Sequence, residues 1–220
     1  MSLNLSKPIL YLITPGATPE ATARSSEEFQ EILHQVSAAV GAGIQLIQLR
    51  EKNLTARVLF ELTERVMEIV RGTSTRVLVN DRTDIAAGAD ADGVHLTTRS
   101  LEAEVVRRTF GPNILIGVST HSHAEARRAR DAGADFVVFG PVFPTRSKKE
   151  YGPPLGVSKL SEVAHELAPF RVLAIGGISN DNASECLRAG ASGVAAITLF
   201  SKPEALKANA EMVRKLLQEL

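Results

Sequence analysis

The sequence predicts an α/β fold: one domain over residues 1–220, built as a closed barrel of eight parallel strands with helices outside. Three observations carry that expectation. Short apolar runs of strand length alternate with longer segments of helical period along the chain. Several of the short runs are continuously hydrophobic, as in parallel strands covered on both faces. A glycine-containing turn also recurs ahead of the strands, as GAG before Ile44, AGADADG before Val94, AGADF at Ala132 and AGASG before Val194. Each copy reads as a helix C-cap glycine leading into the next strand.

The candidate strands are ILYLI from Ile9, IQLIQL from Ile44, VLV from Val77, GVHL from Gly93, ILIGV from Ile114, FVVFG from Phe136, VLAIG from Val172 and VAAI from Val194. The fourth is the weakest pattern. Amphipathic segments lie between them, among them SSEEFQEILHQVSAAV from Ser25, TARVLFELTERVMEIV from Thr55, HAEARRARDAG from His123 and PEALKANAEMVRKLLQEL from Pro203. An open doubly wound sheet would usually carry a GxGxxG loop after its first strand, but that loop reads LITPGATPE. The eight helix-turn-strand units therefore favour a TIM (β/α)8 barrel. The polar stretch FPTRSKKEYGPPLG from Phe143 reads as a functional loop.

With 25 Lys plus Arg against 25 Asp plus Glu, the formal net charge is zero, so there is no long-range field to attract nucleic acid or an anionic membrane. Any anion must be bound locally. No apolar run approaches the roughly 20 residues that span a bilayer. The single cysteine, Cys186, cannot form an intramolecular disulfide, and the first residues lack the pattern of a signal peptide, so a cytoplasmic protein is expected.

A barrel places its chemistry at the C-terminal ends of its strands. Gly176 and Gly177 follow the seventh strand, where bare backbone N–H groups allow close approach of a phosphate and Ser179, Asn180 or Asp181 would cap the next helix; a tight turn needs the same glycines. Arg50 and Lys52, two apart on an extended strand end, point to one side and clamp a polyanion or simply sit in solvent, with Glu51 pointing elsewhere. Lys148 and Lys149 read as a solvated charge run or, beside Thr145 and Ser147, as phosphate ligands. Asp81 is either a Mg²⁺ ligand or a turn-opening aspartate. His121 suits proton transfer near neutral pH or is a surface residue near a helix cap, and His123 is its bland neighbour. His95 and Cys186 have no partner at metal-ligand or dyad spacing and read as core packing.

Taken together, QLREK from Gln48, VND from Val79, IGVSTHS from Ile116, FGPVFPTRSKK from Phe139, AIGGIS from Ala174 and AAIT from Ala195 resemble the thiamine phosphate synthase family, in order, over nearly the whole chain. The resemblance implies coupling of a hydroxymethylpyrimidine diphosphate to a thiazole phosphate, with Mg²⁺ on the departing diphosphate. It implies that Gln48, Arg50, Glu51, Lys52, Asn80, Ser119 and Lys148 contact the pyrimidine diphosphate. Thr145, Arg146, Ser147, Gly177, Ile197 and Thr198 would hold the thiazole phosphate together with Gly176, and Asp81 would bind metal. Arg50, Lys52, Ser119, His121 and Lys148 are the catalytic candidates.

One departure stands out. After the fourth strand the family carries a glycine, a glutamine and an acidic pair that supplies a second Mg²⁺ carboxylate. This chain reads GVHLTTRSLEAE, with Ser100 at that aspartate and Glu102 the nearest carboxylate downstream, which implies weaker metal binding. The segment resembles the related thiazole tautomerases, in which the position of His121 moves a proton on a thiazole carboxylate phosphate. Those enzymes tend to lose the residues matching Lys52 and Asp81, both present here. A non-catalytic sensor of thiamine phosphate is the third reading. A homodimer is expected from the resemblance and from the frequency of symmetric assemblies.

Overall fold

A computed structural model describes residues 8–145 and 153–218. In chain order they form β1 (Ile9–Ile13), α1 (Glu27–Gly41), β2 (Leu46–Leu49), α2 (Ala56–Val70), β3 (Arg76–Asn80), α3 (Thr83–Gly88), β4 (Gly93–Leu96) and α4 (Ala103–Phe110). The second half continues with β5 (Leu115–Thr120), α5 (His123–Asp131), β6 (Phe136–Phe139), α6 (Gly156–Leu167), β7 (Arg171–Ile175), α7 (Ala183–Arg188), β8 (Gly193–Ala196) and α8 (Pro203–Gln218). A 3₁₀ turn, Thr198–Phe200, links β8 to α8. The strands are all parallel and close in sequential order, with β1 paired to both β2 and β8: Tyr11 lies opposite Leu46 on one side and Ala195 on the other. The expected TIM-barrel architecture is the observed one.

Strand alternation builds two separate cores. Outward residues such as Leu10, Ile47, Val79 and Val137 pack under the helices. Inward residues, among them Ile9, Tyr11, Leu46, Leu78, Phe136 and Leu173, fill the barrel as a packed interior. Helix starts follow the sequence cues: Thr55 accepts the Val58 N–H at the head of α2, and Ser122 accepts the Glu125 N–H at the head of α5. Among the described residues no helix is long and apolar enough to cross a membrane.

The repeated turn differs from expectation in one copy. Gly43, Gly133 and Gly190 have φ of 69°, 87° and 91°, the left-handed C-cap geometry expected of them. In AGADADG the left-handed residue is Asp90 (φ 53°), not Gly88, which ends α3 against the Phe60 ring. The register is set by the next acidic residue, because Asp92 must reach the backbone N–H of Val77, 2.8 Å away. Similar devices recur at this end of the barrel: the Gln45 amide oxygen accepts the Leu10 N–H (3.0 Å), and Asp135 accepts the Ile116 N–H (2.7 Å).

Candidate active site at the barrel mouth

β2 ends at Leu49 and Lys52 already lies in the turn that follows, so the extended alternation expected to align Arg50 with Lys52 stops short of Lys52. The Gln48 amide is buried and donates to the Tyr11 hydroxyl at 3.1 Å. Arg50 is half-buried; its backbone N–H donates to Thr14 Oγ1 (2.8 Å) and its guanidinium to the Pro15 carbonyl (3.2 Å). The lone glycine of LITPGATPE has its reason here, since a β-carbon on Gly16 would stand 2.6 Å from the Arg50 carbonyl oxygen. Lys52 is exposed. The buried Glu51 carboxylate accepts from the Thr18 hydroxyl (2.7 Å) and the Gly16 N–H (3.1 Å), tying β2 to the β1–α1 loop.

Asn80 ends β3 and donates to Asp81 at 3.3 Å. Asp81 sits at φ 61°, a conformation that aspartate tolerates better than most residues, and its N–H donates to the His95 carbonyl. This turn leaves the carboxylate exposed, accepting from the Ser100 hydroxyl and, at 3.5 Å, from Thr97. Ser100 therefore stands directly against Asp81, and Glu102 is the exposed residue preceding α4. A recess of about 270 Å³ opens beside them, lined by Thr97, Ser100, Glu102 and Ser119. Among the described residues no cluster of three or more His, Cys, Asp or Glu side chains could hold a metal ion. One carboxylate flanked by hydroxyl oxygens still fits Mg²⁺, a hard cation that takes one or two protein carboxylates and completes its shell with water and phosphate oxygens.

On β5, Ser119 is half-buried, 2.9 Å from His95 Nε2. His121 places Nδ1 2.5 Å from the Gly140 carbonyl, so that nitrogen carries a proton; its backbone N–H donates to Glu125. Thr145 is half-buried at the edge of the described stretch, while Arg146, Ser147, Lys148 and Lys149 lie outside the described residues. Gly176 and Gly177 have φ of 97° and 65°. A β-carbon on Gly177 would stand 2.5 Å from the Pro144 carbonyl oxygen, so the pair also seats the β6–α6 segment against the β7 end. Asn182, not Ser179, Asn180 or Asp181, precedes α7. Its amide bridges the Gly177 carbonyl (2.8 Å) and the Ser179 N–H (2.9 Å), which closes the turn before the helix begins. Ile197 is half-buried and Thr198 exposed where the 3₁₀ turn opens.

His95 is more than core packing. It is buried, but its Nδ1 meets the Tyr11 hydroxyl at 3.1 Å, so Gln48, Tyr11, His95 and Ser119 form one polar chain across the barrel. Tyr11 is the member that the sequence reading missed; its position in the inward alternation of ILYLI is the signal that would have found it. Cys186 is fully buried, and burial pushes its thiol up to about 12, which suits packing and not nucleophilic chemistry.

A filled parallel barrel with polar side chains at its C-terminal mouth has the architecture of the (β/α)8-barrel enzymes. Residues 10–200 match the family described as thiamine monophosphate synthase. A thiamine-phosphate synthase of Roseiflexus sp. (strain RS-1) is 40% identical over 88% of this chain and 81% of its own length. That of Chlorobium phaeovibrioides is 37% identical over 96% and 95%. A solved thiamine phosphate pyrophosphorylase from Pyrococcus furiosus superposes with a TM-score of 0.76 at 32% identity, covering 96% of each chain. The chain belongs to the thiamine monophosphate synthase family, whose members are transferases.

Proposed function

We propose that the protein joins a hydroxymethylpyrimidine diphosphate to a thiazole phosphate at this mouth, releasing diphosphate. The observation that supports the reading best is the gathering of Arg50, Lys52, Asn80, Asp81 and Ser119 at the ends of β2, β3 and β5 in a chain with this family membership. The methylene C–O bond breaks with its electron pair leaving on diphosphate. The thiazole nitrogen then supplies the pair for the new C–N bond. No side-chain nucleophile is required, so catalysis rests on positioning and on stabilising the charge that grows on the leaving group.

Arg50 and Lys52, just past the end of β2, supply positive charge, and Asn80 and Ser119 supply neutral donors. Lys148 is assigned to the same group on resemblance. Glu51 acts through the loop that it ties to β2 and not by touching the anion, since its carboxylate is already engaged. Thiazole phosphate is assigned to the end of β7 and β8, where Gly176, Gly177, Ile197 and Thr198 border the barrel's recurrent phosphate position, with Thr145, Arg146 and Ser147 assigned to the same phosphate on resemblance. Asp81, with Ser100 and Thr97 beside it, would hold Mg²⁺, which when bound neutralises charge on diphosphate oxygens.

The test is direct. Purified protein given both substrates should form thiamine phosphate and diphosphate in equal amounts. Folded protein that binds thiazole phosphate but makes neither product would refute the assignment.

A further inference from the structure

We infer that the buried chain from Gln48 through Tyr11 holds His95 as its Nε2–H tautomer and thereby obliges Ser119 to offer its hydroxyl proton to an anionic substrate atom. His95 is the positioning residue and Ser119 the group that it positions. Naming that atom as a diphosphate oxygen rests on the function proposed above; the direction of the chain does not.

The polarity follows from what each group can do. The Gln48 amide nitrogen, 3.1 Å from the Tyr11 oxygen, can only donate. Tyr11 is fully buried, and of its two side-chain partners only His95 Nδ1, also at 3.1 Å, can accept the phenol proton. A buried hydroxyl that fails to donate is costly, so the proton goes there. Burial holds the Tyr11 phenol above its ordinary range and keeps that proton in place. Nδ1 then carries no hydrogen, and the neutral ring bears its proton on Nε2, 2.9 Å from Ser119 Oγ. With that oxygen accepting from the ring, the serine proton is turned to the half-open mouth. Neighbouring packing fixes the ring: the Tyr11 and Phe136 rings meet edge-on at 5.6 Å, and a β-carbon on Gly117 would stand 2.8 Å from His95 Nδ1, so glycine is what leaves the imidazole its room.

The opposite order is chemically complete and makes the inference testable. Ser119 would donate to Nε2, Nδ1–H to the Tyr11 oxygen, and Tyr11 to a turned Gln48 amide, leaving Ser119 only an acceptor. Imidazole ¹⁵N spectra of the intact protein, with His95 assigned through His95→Gln, distinguish the two without any substrate. A proton on Nε2 is expected; a proton on Nδ1 overturns the inference. Tyr11→Phe keeps the ring and removes the hydroxyl. It should mix the two His95 tautomers and lower kcat about 10- to 100-fold, the usual effect of losing a group that orients a ligand at one remove, with little change in KM for thiazole phosphate. In a Ser119→Ala background the same change should cost almost nothing further, whereas full additivity would show that Tyr11 does not act through Ser119. A wild-type protein with no coupling activity would refute the proposed function while leaving the ¹⁵N result to decide the chain.

Discussion

The two rims of the barrel use polar side chains in opposite ways. At the N-terminal rim, Gln45, Asp92 and Asp135 turn their side-chain oxygens onto backbone N–H groups of the preceding strands, and Arg76 and Arg107 close the two carboxylates off at 2.9 and 2.8 Å. Every one of those oxygens serves the fold. At the C-terminal rim, among the described residues, the Asp81 carboxylate meets hydroxyls and the Asn80 amide, Lys52 stands in solvent, and the half-buried Ser119 borders the mouth. Polar groups whose partners are all internal hold the barrel closed; the polar groups left partly unanswered are the ones that the proposed function assigns to a ligand.

That contrast predicts a separation of effects. Asp81→Asn tolerates the left-handed backbone and retains an acceptor for Ser100, but removes the charge. It should lower the coupling rate by about 100-fold or more with the melting temperature near wild type, as steady-state kinetics and thermal denaturation would show. Asp135→Ala should do the reverse. Losing charge-assisted bonds to Arg107 and the Ile116 N–H should destabilise by about 2 kcal/mol, a fall of about 4–8 °C in melting temperature, with kcat unchanged.

Gly177→Ala blurs the two classes by design. Its β-carbon would press on Pro144 at φ 65°, so a loss of about 1–2 kcal/mol in denaturant titration should accompany weaker binding of thiazole phosphate by calorimetry. The smallest effect belongs to neither rim. Arg57 pairs with Glu61 at 3.1 Å on the surface of α2 with its side chain 88% exposed, and Arg57→Ala should change stability by less than about 0.5 kcal/mol and activity not at all.

Much of this was legible in the chain. Strand-length apolar runs place all eight strands to within a residue or two, because parallel strands covered on both faces leave an unbroken hydrophobic mark. Even the weak fourth run, GVHL, is β4. The AGADADG turn was misplaced because its local glycine signal loses to a tertiary bond, Asp92 to Val77. The site divides in the same way. Gln48, Asn80, Asp81 and Ser119 follow apolar runs and announce themselves as strand ends. The Tyr11–His95 link does not, because its members are 84 residues apart and meet only when the barrel closes. Ser100 could be set against Asp81 by resemblance, but only the folded β4–α4 loop shows its hydroxyl on that carboxylate.

The most direct measurement is formation of thiamine phosphate by wild type and Asp81→Asn, each titrated with Mg²⁺ from an EDTA-treated start. Magnesium-dependent product from wild type, and little from Asp81→Asn at any concentration, is expected if the C-terminal rim stabilises a departing diphosphate. Equal turnover by both proteins, or full activity in EDTA, would contradict that role for Asp81 and for the rim built around it.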